Sequence, residues 1–268
     1  QTAPDGSTDS FEFDPGWSDT NFTLTDGQTH DSGALMPGSY TVVELSKAGW
    51  DLTGLVCTDP DGGTTIDLSA HTATIDLDPL ETVECTFTNT QLGSIIVEKQ
   101  TDPDGDPTEF TFTGDAAGTI ADGGQIVVND LLPDTYTATE VIPDGWDLTS
   151  IECDDTDSSG NTETGVATFN LAAGETVKCT FNNYRLGADL TVSKTVEEFY
   201  TRTWTWSINK SVVGDTTKYA APGTSALFDY SVEVDADFAD SLWYITGTIT
   251  VANPNAWQNV TLTSLEDT

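Results

Sequence analysis

Basic residues are scarce. The chain has 268 residues with 8 Lys+Arg against 45 Asp+Glu, a formal charge of −37. That imbalance argues against nucleic acid as a partner, because phosphate binding needs a basic footprint. It argues equally against an anionic membrane surface. Histidine is limited to His30 and His71, both in turn-rich polar stretches. No G-x-S-x-G elbow is present to pair with either, so no turnover of an external substrate is expected. No run of about 18 apolar residues occurs, so no helix is available to insert into a bilayer. A positively charged leader with an apolar segment is missing too, so the chain reads as a mature protein or a fragment of one. Amphipathic stretches with helical periodicity are also absent. Hydrophobic residues still make up 37% of the chain, enough for packed cores.

What is present is repetition. Residues 50–57 read WDLTGLVC and residues 146–153 read WDLTSIEC. Residues 81–93 read ETVECTFTNTQLG and residues 175–187 read ETVKCTFNNYRLG. MPGSYTVVE at 36–44 answers LPDTYTATE at 132–140, and QTAPDG at 1–6 answers QTDPDG at 100–105. The offsets are 96, 94, 96 and 99 residues, in one order, so two like domains follow one another. Thr is the commonest residue, with 46 copies, and favours strands. Short alternating runs such as FTFTG and TYTATEV sit between Gly, Pro, Asp and Asn clusters, the pattern of an antiparallel sandwich.

The composition changes near residue 188. Residues 1–187 hold 34 acids and 4 bases, and residues 188–268 hold 11 and 4. Charge of that size is screened in a saline or calcium-rich extracellular medium; it also serves simple solubility. From residue 188 the alternations Trp204, Trp206, Ile208 and Tyr230, Val232, Val234 mark core faces. The fold class read from these patterns is all-β: tandem sandwich repeats at 1–92 and 93–187, then an immunoglobulin-like β-sandwich at 188–268, cut short within the domain.

The four cysteines fall two per repeat, Cys57 with Cys85 and Cys153 with Cys179, at spacings of 28 and 26. Zinc would require close pairs, which are missing. One disulfide within each repeat is expected, worth about 3–4 kcal/mol on the chain-entropy model; buried free thiols are the alternative. Strand alternation puts Ile95, Val97 and Lys99 on one face, Tyr136, Ala138 and Glu140 on another, and Cys179, Phe181 and Asn183 on a third. In each strand the polar residue falls on the apolar side. Burying a charged Lys and Glu is costly unless they are paired or chemically altered.

An opening strand with Lys, a PG-x-Y-x-x-x-E block, a Gly-Trp motif and a closing F-x-N strand resemble the collagen-adhesin B-type repeat. That is the prealbumin-like sandwich of bacterial surface adhesins and pilins, and the likeness covers residues 1–187. The resemblance implies an autocatalytic isopeptide, with Lys99 as nucleophile, Asn183 as electrophile and Glu140 as proton carrier. Glu44 and Asn89 occupy the matching places in the first repeat. The cysteine pair departs from the family's usual pattern and is an alternative to that crosslink, as is an ordinary buried Lys–Glu pair.

Asp102, Asp104 and Asp106 alternate and make calcium a candidate, although an EF-hand loop counted from Asp102 fails, meeting Pro107 and Thr113 where Gly and Glu are needed. DPDG is equally a good turn sequence. Trp50 and Trp146 match between repeats and read as structural. Trp17, Trp243 and Trp257 have no such match and are the candidates for a ligand surface. Aligning QTAPDG with QTDPDG leaves the opening strand Ser94–Lys99 without a counterpart in the first repeat. Residues preceding Gln1, or a strand donated by another subunit, are expected to supply it. Asp267-Thr268, falling mid-domain, points to a segment of a longer polypeptide.

The resemblance implies an extracellular cell-surface stalk or fibre segment. Its partners would be copies of itself, neighbouring domains of a longer chain, or a host or environmental protein or glycan. A ligand-binding adhesin module and a subunit polymerising by donor-strand pairing are the alternatives.

Overall fold

Thr-rich alternating runs, broken by Gly, Pro and Asp turns, fold into strands, with no helix among residues 1–266, the residues that the computed structural model describes. Asp267 and Thr268 lie outside them. The chain forms two compact units, Gln1–Leu186 and the residues from Gly187 onward.

The first repeat contains β1 (Thr2–Ala3), β2 (Phe11–Pro15), β3 (Phe22–Leu24), β4 (Gly38–Glu44), β5 (Trp50–Thr58), β6 (Thr65–Asp67), β7 (Thr72–Leu77) and β8 (Glu84–Gln91). One sheet runs β3-β2-β4-β7-β6 and the facing sheet runs β1-β8-β5. Phe11, Phe13, Trp50, Leu52, Leu55 and Phe87 fill the space between them.

The second repeat contains β9 (Gly93–Asp102), β10 (Phe110–Gly114), β11 (Gly118–Ile120), β12 (Gln125–Leu131), β13 (Asp134–Val141), β14 (Trp146–Cys153), β15 (Ser159–Asn161), β16 (Val166–Leu171) and β17 (Thr176–Arg185). Its sheets run β11-β10-β13-β16-β15 and β12-β9-β17-β14. The five-stranded sheets of the two repeats match strand for strand. The other sheets do not. In the second repeat β9 lies parallel to β17 from Ser94↔Thr176 to Asp102↔Tyr184, with β12 antiparallel on its far side. In the first repeat the corresponding lane holds β1 alone, paired as Thr2↔Asn89 and Ala3↔Thr90. The segment where β12's counterpart would lie, residues 28–34, is exposed coil.

The repeat-matched tryptophans are structural. Trp50 packs edge-on to Phe11 at 5.1 Å, and Trp146 packs the same way on Phe110 at 5.2 Å.

From Gly187 the chain departs from the immunoglobulin-like sandwich expected. It forms two antiparallel ribbons, β18 (Thr191–Lys194) with β21 (Ile249–Ala252), and the long β19 (Glu197–Val212) with β20 (Tyr230–Thr246). Trp204, Trp206 and Ile208 share one face, across from Phe238, Ala236 and Val234, but it is not the core face expected. That face is uncovered, with Trp204 51%, Trp206 64% and Ile208 71% exposed. Residues 213–229, with Gly214, Pro222 and Gly223, and residues 253–266, with Asn253-Pro254, form no strand, so no second sheet closes over it among the described residues. A two-stranded ribbon has no interior of its own.

Candidate functional site: a buried lysine, glutamate and asparagine

Lys99 comes from β9 and Asn183 from the adjacent β17, and Glu140 projects from β13 in the opposite sheet. The site is therefore sandwiched between the layers. Inward alternation places all three in the core: Lys99 is 0% exposed, Asn183 2% and Glu140 4%. The Lys99 Nζ donates to Asn183 Oδ1 at 2.8 Å, and to the carbonyls of Gln100 at 2.7 Å and Phe181 at 3.0 Å. It lies 3.6 Å from Glu140 Oε1 and 4.2 Å from the centre of the Phe110 ring.

Burial shifts both titratable groups toward their neutral forms. Burial pushes the Lys99 amine down to about 8 from 10.5, against the opposing pull of the Glu140 carboxylate. Burial likewise raises Glu140 above the usual carboxylate range, against the pull of Lys99. Neither Glu140 oxygen accepts a well-formed hydrogen bond, and Asn183 Nδ2 donates none. A buried amine, a buried acid and a carboxamide with an idle amino group stand in contact, the components of an amide exchange.

In the first repeat Glu44 and Asn89 occupy the equivalent positions, each 4% exposed, with Asn89 Nδ2 donating to Glu44 Oε2 at 3.1 Å. Burial raises Glu44 above its ordinary value, opposed by that hydrogen bond. No lysine or arginine pairs with it among the described residues.

Both disulfides form. Cys57 faces Cys85 across β5 and β8, and Cys153 faces Cys179 across β14 and β17. Each staples neighbouring strands of one sheet, and Cys153–Cys179, in the sheet that carries Lys99 and Asn183, leaves those two side chains free to meet.

The acidic turns hold backbone amides. The amides of Thr101 and Gly105 donate to the two oxygens of Asp122 at 2.6 and 2.7 Å. Burial works to raise Asp122, yet these amides hold it below the usual carboxylate range. Asp26 clamps Thr2 and Gly6 in the same way, both at 2.8 Å. Gly6 and Gly105 have φ of 82° and 76°, a region that favours glycine. Asp106 accepts from Arg185 at 2.8 Å, so it belongs to an ion pair. Asp102, Asp104 and Asp106 do not converge. Among the described residues, Asp59, Asp61 and Glu81 gather as a trio, with oxygens within 4.8 Å of one another. There Asp59 already accepts from the amides of Asp61, Gly62 and Thr64. The Asp26 and Asp122 clamps went unread in the sequence, although each stands before a glycine at a repeat offset of 96.

The three candidate ligand-surface tryptophans differ in setting. Trp17 packs against the first core, edge-on to Tyr40 at 6.4 Å, and is a packing residue. Trp243 is 61% exposed and stacks on Tyr200 at 4.6 Å. Trp257 is half-buried. His30 stacks on Phe22 at 3.8 Å, and His71 forms a turn with φ of 51°, its carbonyl accepting from the Glu44 amide.

Comparison with curated proteins gives no match. Among solved structures the chain is similar to the major pilin T-13 of Streptococcus pyogenes, at 15% identity over 66% of this chain and 88% of that one, with a TM-score of 0.30. It is also similar to the minor pilin GBS52 of Streptococcus agalactiae, at 13% identity over 63% and 66%, with a TM-score of 0.25. A third is the C-terminal fragment of the pilus adhesin SpaC of Lactobacillus rhamnosus GG, at 17% identity over 67% and 89%, with a TM-score of 0.27. Likenesses this distant transfer no residue's role. The family model for the prealbumin-like fold domain, SpaA_4, matches twice, at residues 1–91 and 95–185, the two stretches that carry the sandwiches and their buried polar groups. The chain therefore belongs to the prealbumin-like fold domain family.

Proposed function

We propose that this chain is a load-bearing stalk or fibre segment of an extracellular surface structure, and that Lys99 and Asn183 join in an amide bond. The observation that carries this reading is the parallel pairing of β9 with β17, the first and last strands of the second repeat. Parallel first and last strands bring the chain in at one end of a domain and out at the other, as head-to-tail stacking requires. Tension then enters on β9, leaves on β17 and shears the two apart. A covalent link between those strands carries the load that hydrogen bonds alone would yield to.

The chemistry balances within the site. Lys99 passes a proton to Glu140, which leaves a neutral amine beside a neutral acid. The amine nitrogen then attacks Cγ of Asn183 and forms the new C–N bond. Glu140 returns a proton toward the departing Nδ2, the old C–N bond breaks, and ammonia leaves. Glu140 also takes up the remaining proton of the attacking nitrogen, so it ends as the neutral acid, holding the one proton that the new amide and the ammonia do not carry. Desolvation favours this route, because charge separation in a dry site costs more than two neutral partners do.

Intact-mass measurement tests the bond. The expected result is a mass lower by one ammonia than the sequence requires, restored to the full value by Lys99→Met or Glu140→Ala. A full mass for the unsubstituted chain overturns the crosslink and leaves an ordinary buried ion pair. Single-molecule extension tests the stalk: the second repeat should release only the residues outside 99–183. A second reading, ligand binding, is favoured by the exposed pair Tyr200 and Trp243 beside Trp204 and Trp206. Saturable binding on a glycan array, lost in Trp243→Ala, would select it.

A further inference from the structure

We infer that Asp122 is a positioning residue for the joining of Lys99 to Asn183: it holds the far end of β9 in register, so that the amine reaches the carboxamide. The inference rests on the amide bond proposed above.

The backbone shows why a holder is needed there. β12 covers β9 from Leu131↔Gly93 to Gln125↔Glu98. At Lys99, one residue later, the ladder on that side has ended, while on the other side β17 continues to Asp102↔Tyr184. A strand end with amides and carbonyls left over frays unless something takes them up. The turn of residues 121–124 takes over from β12. The Lys99 amide donates to the Gly124 carbonyl at 3.0 Å, and the Gly123 amide donates to the Lys99 carbonyl at 2.8 Å. Asp122, inside that turn, accepts from the amides of Thr101 at 2.6 Å and Gly105 at 2.7 Å.

The grip falls at the level of the reaction. Thr101 is the residue of β9 paired with Asn183, and Lys99 is paired with Phe181. Lys99 Nζ therefore meets Asn183 Oδ1 along the strands rather than straight across, and the carbonyl of Phe181 steadies it at 3.0 Å. That geometry depends on register. A slip of one residue turns Lys99 out of the core. Bonds from amides to a carboxylate are stronger than those between neutral groups, so Asp122 fixes the strand end more firmly than the turn's own backbone does.

The full 268-residue chain is made by cell-free synthesis under oxidising conditions and quenched in acid at set times. Intact mass on the folded fraction then gives the rate of ammonia loss. Asp122→Ala should slow it by about tenfold or more, because small misplacements of reacting groups cost rate on that scale. Asp122→Asn keeps an acceptor oxygen for the Thr101 amide and should fall between the two. Asp26→Ala removes the matching clamp of the first repeat and should leave the rate unchanged, which separates positioning from a general loss of stability. Equal rates for Asp122→Ala and the unsubstituted chain overturn the assignment and leave the amide bond standing. Slowing by Asp26→Ala as large as that by Asp122→Ala does the same. If Asp122→Ala does not fold, Asp122→Asn decides alone, and a rate equal to that of the unsubstituted chain overturns the role. A full mass for the unsubstituted chain at all times overturns the bond and the role together.

Discussion

Lys99 is where sequence and physics meet most closely. Alternation along GSIIVEK was enough to turn its side chain inward, because a β-strand has a period of two and Ile95 and Val97 set the face. The same argument placed Glu140 and Asn183. It did not reveal the Phe110 ring under the ammonium, since cross-sheet contacts depend on packing rather than spacing. The pH behaviour of this group separates the bonded from the unbonded state. A free Lys99 titrates at about 8 in the folded chain and at 10.5 when exposed. Between those values the unfolded chain binds more protons, so stability rises as pH rises from about 8 to 10.5. The gain is at most about 3 kcal/mol by linkage. Glu140 runs the other way: its raised folded value means stability is lost as pH climbs above 4.5 toward that value. Denaturant unfolding of Asn183→Ala, which cannot form the amide, should show the alkaline gain, and Lys99→Met in the same background should abolish it. The unsubstituted chain should be flat over that window, because an amide nitrogen does not titrate. An alkaline rise in the unsubstituted chain would contradict the bond.

At the scale of strands, the repeat blocks made both sandwiches legible, and the spacing of the cysteines made both disulfides legible. Each pair sits directly across two neighbouring strands in the same place in each repeat. The ribbon of β19 and β20 shows where such reading stops. Alternation identifies which face is apolar, as Trp204, Trp206 and Ile208 show, but it cannot say what lies above that face. A sandwich needs a second sheet, and the Gly- and Pro-bearing segments around the ribbon do not make one. The disulfides also differ in accessibility between repeats. Cys179 is 0% exposed under β9 and its partner Cys153 is half-buried, whereas Cys57 and Cys85 are both half-buried. Thiol–disulfide exchange requires access to a sulfur. Under mild reductant Cys57–Cys85 should therefore open first, as read by alkylation and peptide mass. Losing either bridge by Cys→Ser should cost about 2–5 kcal/mol. Simultaneous opening of both bridges would mean that β9 gives the second repeat no added shielding.

Over the whole chain, charge and burial pull in opposite directions. Residues 1–187 carry 34 acids against 4 bases, yet this stretch contains both packed cores and every residue of the buried trio. Many acids are absorbed locally: Asp26 and Asp122 clamp turns, Asp106 pairs with Arg185, and Glu98 with Lys178. The remainder repel one another across a surface that has few cations to answer them, which destabilises a compact state. Salt shortens the reach of that repulsion to about 10 Å at 0.1 M. The melting temperature of the unit Gln1–Leu186 should therefore rise as sodium chloride is raised from low levels toward 0.5 M. Hydrogen exchange on the full chain separates this effect from a general one. Amides of β9, flanked by β12 and β17 in a closed sandwich, should already be slow and become slower with salt. Those of β19 and β20, paired only with each other and exposed on both faces, should exchange quickly and respond far less, because their weakness is a missing cover rather than repulsion. Equal slowing of both units by salt, or a melting temperature indifferent to it, would mean that the acidic surface is already neutralised by its own hydrogen bonds.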